Sequence, residues 1–141
     1  MKKLGWLIVA GMVVLGLLQL VPYGRDHTNP PVVQEPQWDS PETRQIANAD
    51  CFQCHSNETE WPWYSNIAPA SWLIYNDVAE GRDQFNFSDW GNNPGELDEM
   101  IEQVQEGSMP PIQYWMFHPG SRLTSVQKEA FIQGLKASIA R

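Results

Sequence analysis

Cysteine and histidine are scarce in this chain: Cys51 and Cys54 are the only two thiols in 141 residues, and His27, His55 and His118 are the only imidazoles. Two thiols make one disulfide at most, so a disulfide framework is excluded and a single structural bridge is the bland reading of the pair. A closed zinc site usually takes four ligands, often as two paired clusters, and is hard to complete here. Basic residues are also few. Nine Lys and Arg stand against 17 Asp and Glu, for a net charge of −8, and Lys2 and Lys3 sit at the extreme N-terminus. The remainder has no basic footprint, which argues against nucleic-acid binding. Such an acidic surface suits a basic partner or simple solubility. Nothing before Cys51 reads as a strand, against a thioredoxin-type C-x-x-C, and no internal repeat is visible.

Apolar residues make up 42% of the chain, with seven Trp and eleven Pro. Length and composition fit one globular domain plus an appendage. The appendage opens with two lysines and then runs apolar from Leu4 to Val21, 18 residues interrupted only by the strongly polar Gln19. That length suits a membrane-spanning helix better than a signal-peptide core, and no small-x-small cleavage site follows. Residues 1–22 are therefore expected to be a signal anchor, with a cleaved signal peptide as the alternative. The positive N-terminus would stay inside and the remainder would be exported. The expected placement is a single-pass protein of the bacterial inner membrane, touching the lipid bilayer through this helix, with its folded part on the periplasmic side.

Residues 23–39 carry Pro30, Pro31 and Pro36, lack helical periodicity and read as a semi-rigid linker. His27 falls there and reads as solvated. The folded domain is expected over residues 40–141. Ser40-Pro41-Glu42 carries a helix start. A second helix is expected from Pro69 to Glu80 with Gly81 as its stop, and a third from Pro94 to Glu106 with Gly107 as its stop. The last begins at the Thr124-Ser125-Val126-Gln127 capping box. The fold class is thus all-α, about four helices.

The first of these helices delivers Cys51-Phe52-Gln53-Cys54-His55, the C-x-x-C-H spacing of covalent haem attachment. Thiols at i and i+3 share one side of a helical turn and can reach the two vinyl groups on one porphyrin edge. His55 is then held beneath the iron as its proximal nitrogen ligand. A sixth ligand is sought in Ser108-Met109-Pro110-Pro111, where a proline-stiffened loop presents a thioether, although a methionine more often fills a core gap. His118 and Met116 are rival ligands. Arg82 and Trp90 are candidates for contacts to the haem propionates through a guanidinium and an indole N–H. A surface salt bridge is the more common fate of such an arginine. Trp61, Trp63 and Tyr64 are candidates for a wall of the haem crevice, with ordinary packing as the bland reading.

Taken together, residues 40–141 resemble cytochrome c: a short helix ending in Cys51-x-x-Cys54-His55, Met109-Pro110 after a later helix, and a capped C-terminal helix. More narrowly, Asn66-Ile67-Ala68-Pro69-Ala70-Ser71-Trp72, Gly81-Arg82 to Trp90 and Met109-Pro110-Pro111 are similar to a family of small membrane-anchored haem-binding domains. The resemblance implies one covalent haem c, with Cys51 and Cys54 as thioether attachment points, His55 as proximal iron ligand and Met109 as the sixth. The chain departs from simple cytochromes c in the long aromatic insertion between Met109 and Thr124, which brings Met116 and His118. The expected function is that of a mono-haem one-electron carrier, not an enzyme, serving a membrane-bound or periplasmic redox partner with a basic docking surface. The alternatives are a haem sensor or small peroxidase-like protein with an exchangeable sixth ligand, and a haem-bearing accessory subunit of a membrane complex.

Overall fold

The computed structural model describes residues 2–139. Seven α-helices and two short 3-10 helices, Trp63–Asn66 and Pro119–Ser121, make up the regular structure of these residues, with one isolated bridge between Gln34 and Asp89 and no named strand. The all-α reading agrees with this architecture.

The anchor does not. Helix α1, Lys2–Leu18, is 17 residues long. At 1.5 Å per residue it reaches about 26 Å, short of the roughly 30 Å hydrocarbon core. No helix among the described residues is long and apolar enough to cross a membrane. The single-pass anchor and the inner-membrane placement expected from the apolar run are corrected accordingly. Gln19 shows the local reason. Its side-chain amide donates to the Ala68 carbonyl (2.9 Å) and accepts from the Ala68 N–H (2.9 Å), so the chain turns where the apolar run meets its one polar residue.

The stretch read as a linker lies against the helices. Val33 and Gln34 donate their N–H groups to the Ser88 carbonyl (2.8 and 3.0 Å), and Trp90 N–H donates to the Gln34 carbonyl (2.9 Å). Asn57 donates from its amide to the Pro31 carbonyl, and Glu35 takes a two-pronged hydrogen bond from Arg44 (2.7 and 2.8 Å). Prolines lack N–H donors but keep their carbonyls, so a Pro-rich segment can still be bound by donors from a neighbouring surface.

Helix α2 spans Pro41–Asp50. Ser40 caps it by accepting the Thr43 N–H (3.2 Å), with Pro41 in the first turn. It passes through a break at Cys51 into the single turn α3, Phe52–His55. Helix α4, Ala70–Gln84, runs past the expected stop, with Gly81 buried inside it. Helix α5 is Leu97–Glu106, closed by Gly107 in the left-handed region (φ 78°). Helix α6, Ile112–Phe117, forms within the aromatic insertion, where no helix was expected. Helix α7, Ser125–Ile139, follows the Thr124 box: Thr124 N–H donates to Gln127 Oε1 (2.9 Å), and Gln127 N–H returns to Thr124 Oγ1 (3.3 Å).

The core joins Ala47, Phe52, Phe87, Ile101, Phe131 and Leu135, so α2, α3, α5 and α7 converge on the Cys51–His55 turn. Gly134 allows the closest crossing. A Cβ there would run into the Thr43 side chain, so α7 meets α2 through a missing methyl group.

Candidate functional site

The break at Cys51 builds the site. Its φ and ψ of −119° and −37° tilt the chain out of α2. The Cys51 carbonyl then accepts both the Cys54 N–H (3.1 Å) and the His55 N–H (2.9 Å), closing one tight turn. Ser56 ends that turn by donating its hydroxyl to the Phe52 carbonyl (2.7 Å). Behind it, α4 packs so closely that a Cβ on Gly81 would lie 2.7 Å from the Cys54 carbonyl oxygen. His55 is only 7% exposed. Its ring stacks on Phe85 (centroids 4.0 Å apart, 8° between planes), and its carbonyl accepts the Phe87 N–H (2.8 Å).

Cys51, Cys54 and His55 open onto a cavity of about 560 Å³, within the usual range for small-molecule and cofactor sites. Met109 and Pro110 also line it, as do Phe85, Phe87, Val104, Phe131 and Leu135. Met109 arrives there because Gly107 caps α5 in the left-handed conformation and the N–H groups of Ser108 and Met109 return to the Gln103 carbonyl (3.1 and 3.2 Å). The lip is acidic, with Asp77, Glu80, Asp83, Glu96 and Glu99, and no Lys or Arg among the described residues lines the cavity.

The electrostatics favour neutral groups. Burial pushes the Cys51 thiol far up, with the Asp50 carboxylate adding to it, and pushes Cys54 up to about 12. Burial also lowers the His55 pKa against an opposing pull from the backbone of Gly81 and Phe85, so the ring stays a neutral imidazole with a lone pair to give. Two unpartnered polar atoms stand out: His55 Nδ1 and Asp50 Oδ1 are buried without a hydrogen bond. Free thiols, an imidazole held between aromatic rings and apolar walls fit a flat iron macrocycle. The donor set is nitrogen and sulfur, which suits haem iron.

Of the residues expected at the site, Cys51, Cys54, His55 and Met109 meet in this cavity, and the others lie elsewhere. Arg82 donates to the Ser56 carbonyl (2.8 Å), Asn29 Oδ1 (2.8 Å) and Thr59 Oγ1 (3.0 Å), clamping the segment around Asn29 onto the loop after α3. Trp90 stacks on Phe87 (5.5 Å), outside the cavity lining. Trp61 stacks on His27 (4.4 Å), Trp63 is 76% exposed, and Tyr64 faces Phe117 (5.8 Å). His118 stacks on Tyr114 (4.3 Å) with its Nδ1 3.0 Å from the Tyr114 carbonyl, and Met116 is exposed. These seven residues lie outside the cavity lining. Sequence reasoning missed Asp50, Phe85, Met100 and Tyr114, all cavity-lining. Asp50 carried a signal: a carboxylate on the last residue of a helix sits at the wrong end of the dipole. Tyr114 carried none, since α6 itself was not read.

A short C-x-x-C-H turn opening onto an apolar cavity within a helical fold defines a haem-binding class of protein. The chain matches the haem-binding domain family over residues 13–137 and belongs to that family; it is a haem-binding protein. The match begins inside α1 and takes in the bound Pro-rich stretch. No curated protein and no solved structure matches the chain.

Proposed function

We propose that this protein is a mono-haem c-type cytochrome that carries one electron at a time. The observation that supports this most is the convergence of both thiols, His55 and Met109 on one cavity. In this reading Cys51 and Cys54 would hold the haem through thioether bonds, and His55 and Met109 would supply nitrogen and sulfur ligands to its iron. When bound, haem supplies a reversible one-electron couple whose potential depends on axial ligand, burial and nearby charge. The chain needs no acid, base or nucleophile for that work. Phe85 stacking fixes the plane of His55. Phe87, Phe131 and Leu135 exclude water, and the Cys51–His55 turn is held rigid between α2 and α4. The acidic lip suits docking to a redox partner with a basic surface, and that docking should weaken as salt rises.

The test is expression together with a haem-attachment apparatus, followed by mass measurement and optical spectra. Covalent haem adds one haem mass, and Cys51→Ala/Cys54→Ala abolishes it; a colourless product of unmodified mass refutes the proposal. Met109→Ala should change the oxidised spectrum and open the iron to carbon monoxide, whereas His118→Ala and Met116→Ala should leave both as they are. Rapid carbon monoxide binding by the unaltered protein would favour a sensor with an exchangeable ligand instead.

A further inference from the structure

Asp50 is the last residue of α2, adjacent to Cys51, and it lines the cavity. It is only 8% exposed, and its Oδ1 is buried with no donor near it. The position opposes a charge in every respect. A helix C-terminus presents carbonyl oxygens and a negative dipole end to the carboxylate. Every element packed around the cavity adds neutral or acidic groups. From Cys51 and α3 come the high-pKa thiols of Cys51 and Cys54 and the neutral ring of His55. From α4 come Asp77, Glu80 and Asp83; from α5 and the residue before it, Glu99 and Glu96. Helix α6 brings Tyr114, whose hydroxyl donates to the Ala49 carbonyl (3.3 Å) beside Asp50, and α7 brings only Phe131 and Leu135. A buried carboxyl without donor or cation is a poor structural element and a common functional one.

We propose that Asp50 is a redox-linked proton-binding group, so that the protein takes up one proton from solvent when it accepts one electron from its partner and releases both on reoxidation. The proposal rests on the haem reading above. One negative charge enters the site with the electron, and one positive charge follows it onto an Asp50 carboxyl oxygen, so the net charge of the pocket is unchanged. Coupling is strong because the group lies beside a haem-attachment cysteine, where little water screens it. Burial already pushes the Asp50 carboxyl up to about 6, within range of a neutral cellular pH. The alternative for such a group is a carboxyl that stays protonated in both redox states.

The experiment is spectroelectrochemical titration of the haem-loaded protein from about pH 4 to about pH 8, spanning the ordinary carboxylate and imidazole ranges. The midpoint potential should fall with rising pH near pH 6, with a slope of up to about 59 mV per tenfold change in proton activity. Asp50→Asn, neutral and of the same shape, should flatten the curve, and Asp98→Asn, exposed and outside the cavity lining, should not. Redox-difference infrared spectra should show a protonated carboxyl stretch that appears on reduction, shifts with 13C-aspartate and is lost in Asp50→Asn. A flat curve in the unaltered protein overturns the proposal, as does unchanged pH dependence in Asp50→Asn. Should that variant fail to load haem, the labelled infrared spectrum of the unaltered protein decides: no aspartate band on reduction overturns it. Failure of the haem reading would look different, as a protein without pigment or added mass.

Discussion

Replacing Gly81 by alanine tests how the C-x-x-C-H turn is held. Gly81 is buried inside α4, and an added Cβ would sit 2.7 Å from the Cys54 carbonyl oxygen and 3.0 Å from both the Cys54 carbonyl carbon and Cβ. These atoms belong to the turn itself and have no flexible end to swing aside. Overpacking of this kind costs about 1–3 kcal/mol. Against it stands the gain of about 1 kcal/mol from replacing glycine in a helix interior. The expected net loss is about 1 kcal/mol. With an m-value of about 2 kcal/mol/M, the urea midpoint of the haem-loaded protein should fall by roughly 0.5 M. Moving the Cys54 carbonyl also moves the next residue, His55, so the ligand-sensitive optical bands should shift. Gly11→Ala in α1, where nothing lies within 4 Å, serves as the control and should lose neither stability nor spectrum. If Gly81→Ala gains the full propensity term and keeps an unaltered spectrum, the close approach of α4 to the turn is refuted.

Arg82→Ala should leave the haem spectrum intact while losing about 1.5–3 kcal/mol for its charged hydrogen bonds, with hydrogen exchange rising around Asn29 and Thr59. A changed spectrum with normal exchange would restore Arg82 to the haem. Phe131→Ala removes a ring that is 1% exposed and belongs to both core and cavity wall, and should cost about 3–5 kcal/mol by urea denaturation. Stability should also depend on pH through Asp50. Burial raises its pKa to about 6 in the folded protein from the ordinary 3.8, so the folded chain holds a proton that the unfolded chain has released. That contribution is complete below about pH 4 and is lost as pH rises to about 6. Denaturation midpoints measured across that window should fall with pH, and the fall should shrink in Asp50→Asn.

The site and the frame were legible to different degrees. Cys51, Cys54 and His55 announce themselves because the C-x-x-C-H spacing is a purely local pattern, and the three meet in the cavity. The Ser40 cap, the Gly107 stop and the Thr124 box are local too, since each satisfies backbone groups within a few residues. Even the step from Gly107 to Met109 follows from one left-handed residue. Gly81 misleads for the opposite reason: a glycine marks a helix stop in sequence, but here it serves close packing against Cys54, which no local pattern reveals.

What the amino-acid order determined by itself was the helical class, the four main helices and the Cys51, Cys54 and His55 triad, because periodicity, caps and motif spacing act over one or two turns. What only the tertiary structure decided was everything that depends on a distant partner. Arg82 turns to Ser56, Asn29 and Thr59, and the Pro-rich stretch binds Ser88. The end of α1 lies where Gln19 meets Ala68. Long-range hydrogen bonds and burial outweigh composition there, since a buried polar group must find its partner wherever the fold brings one.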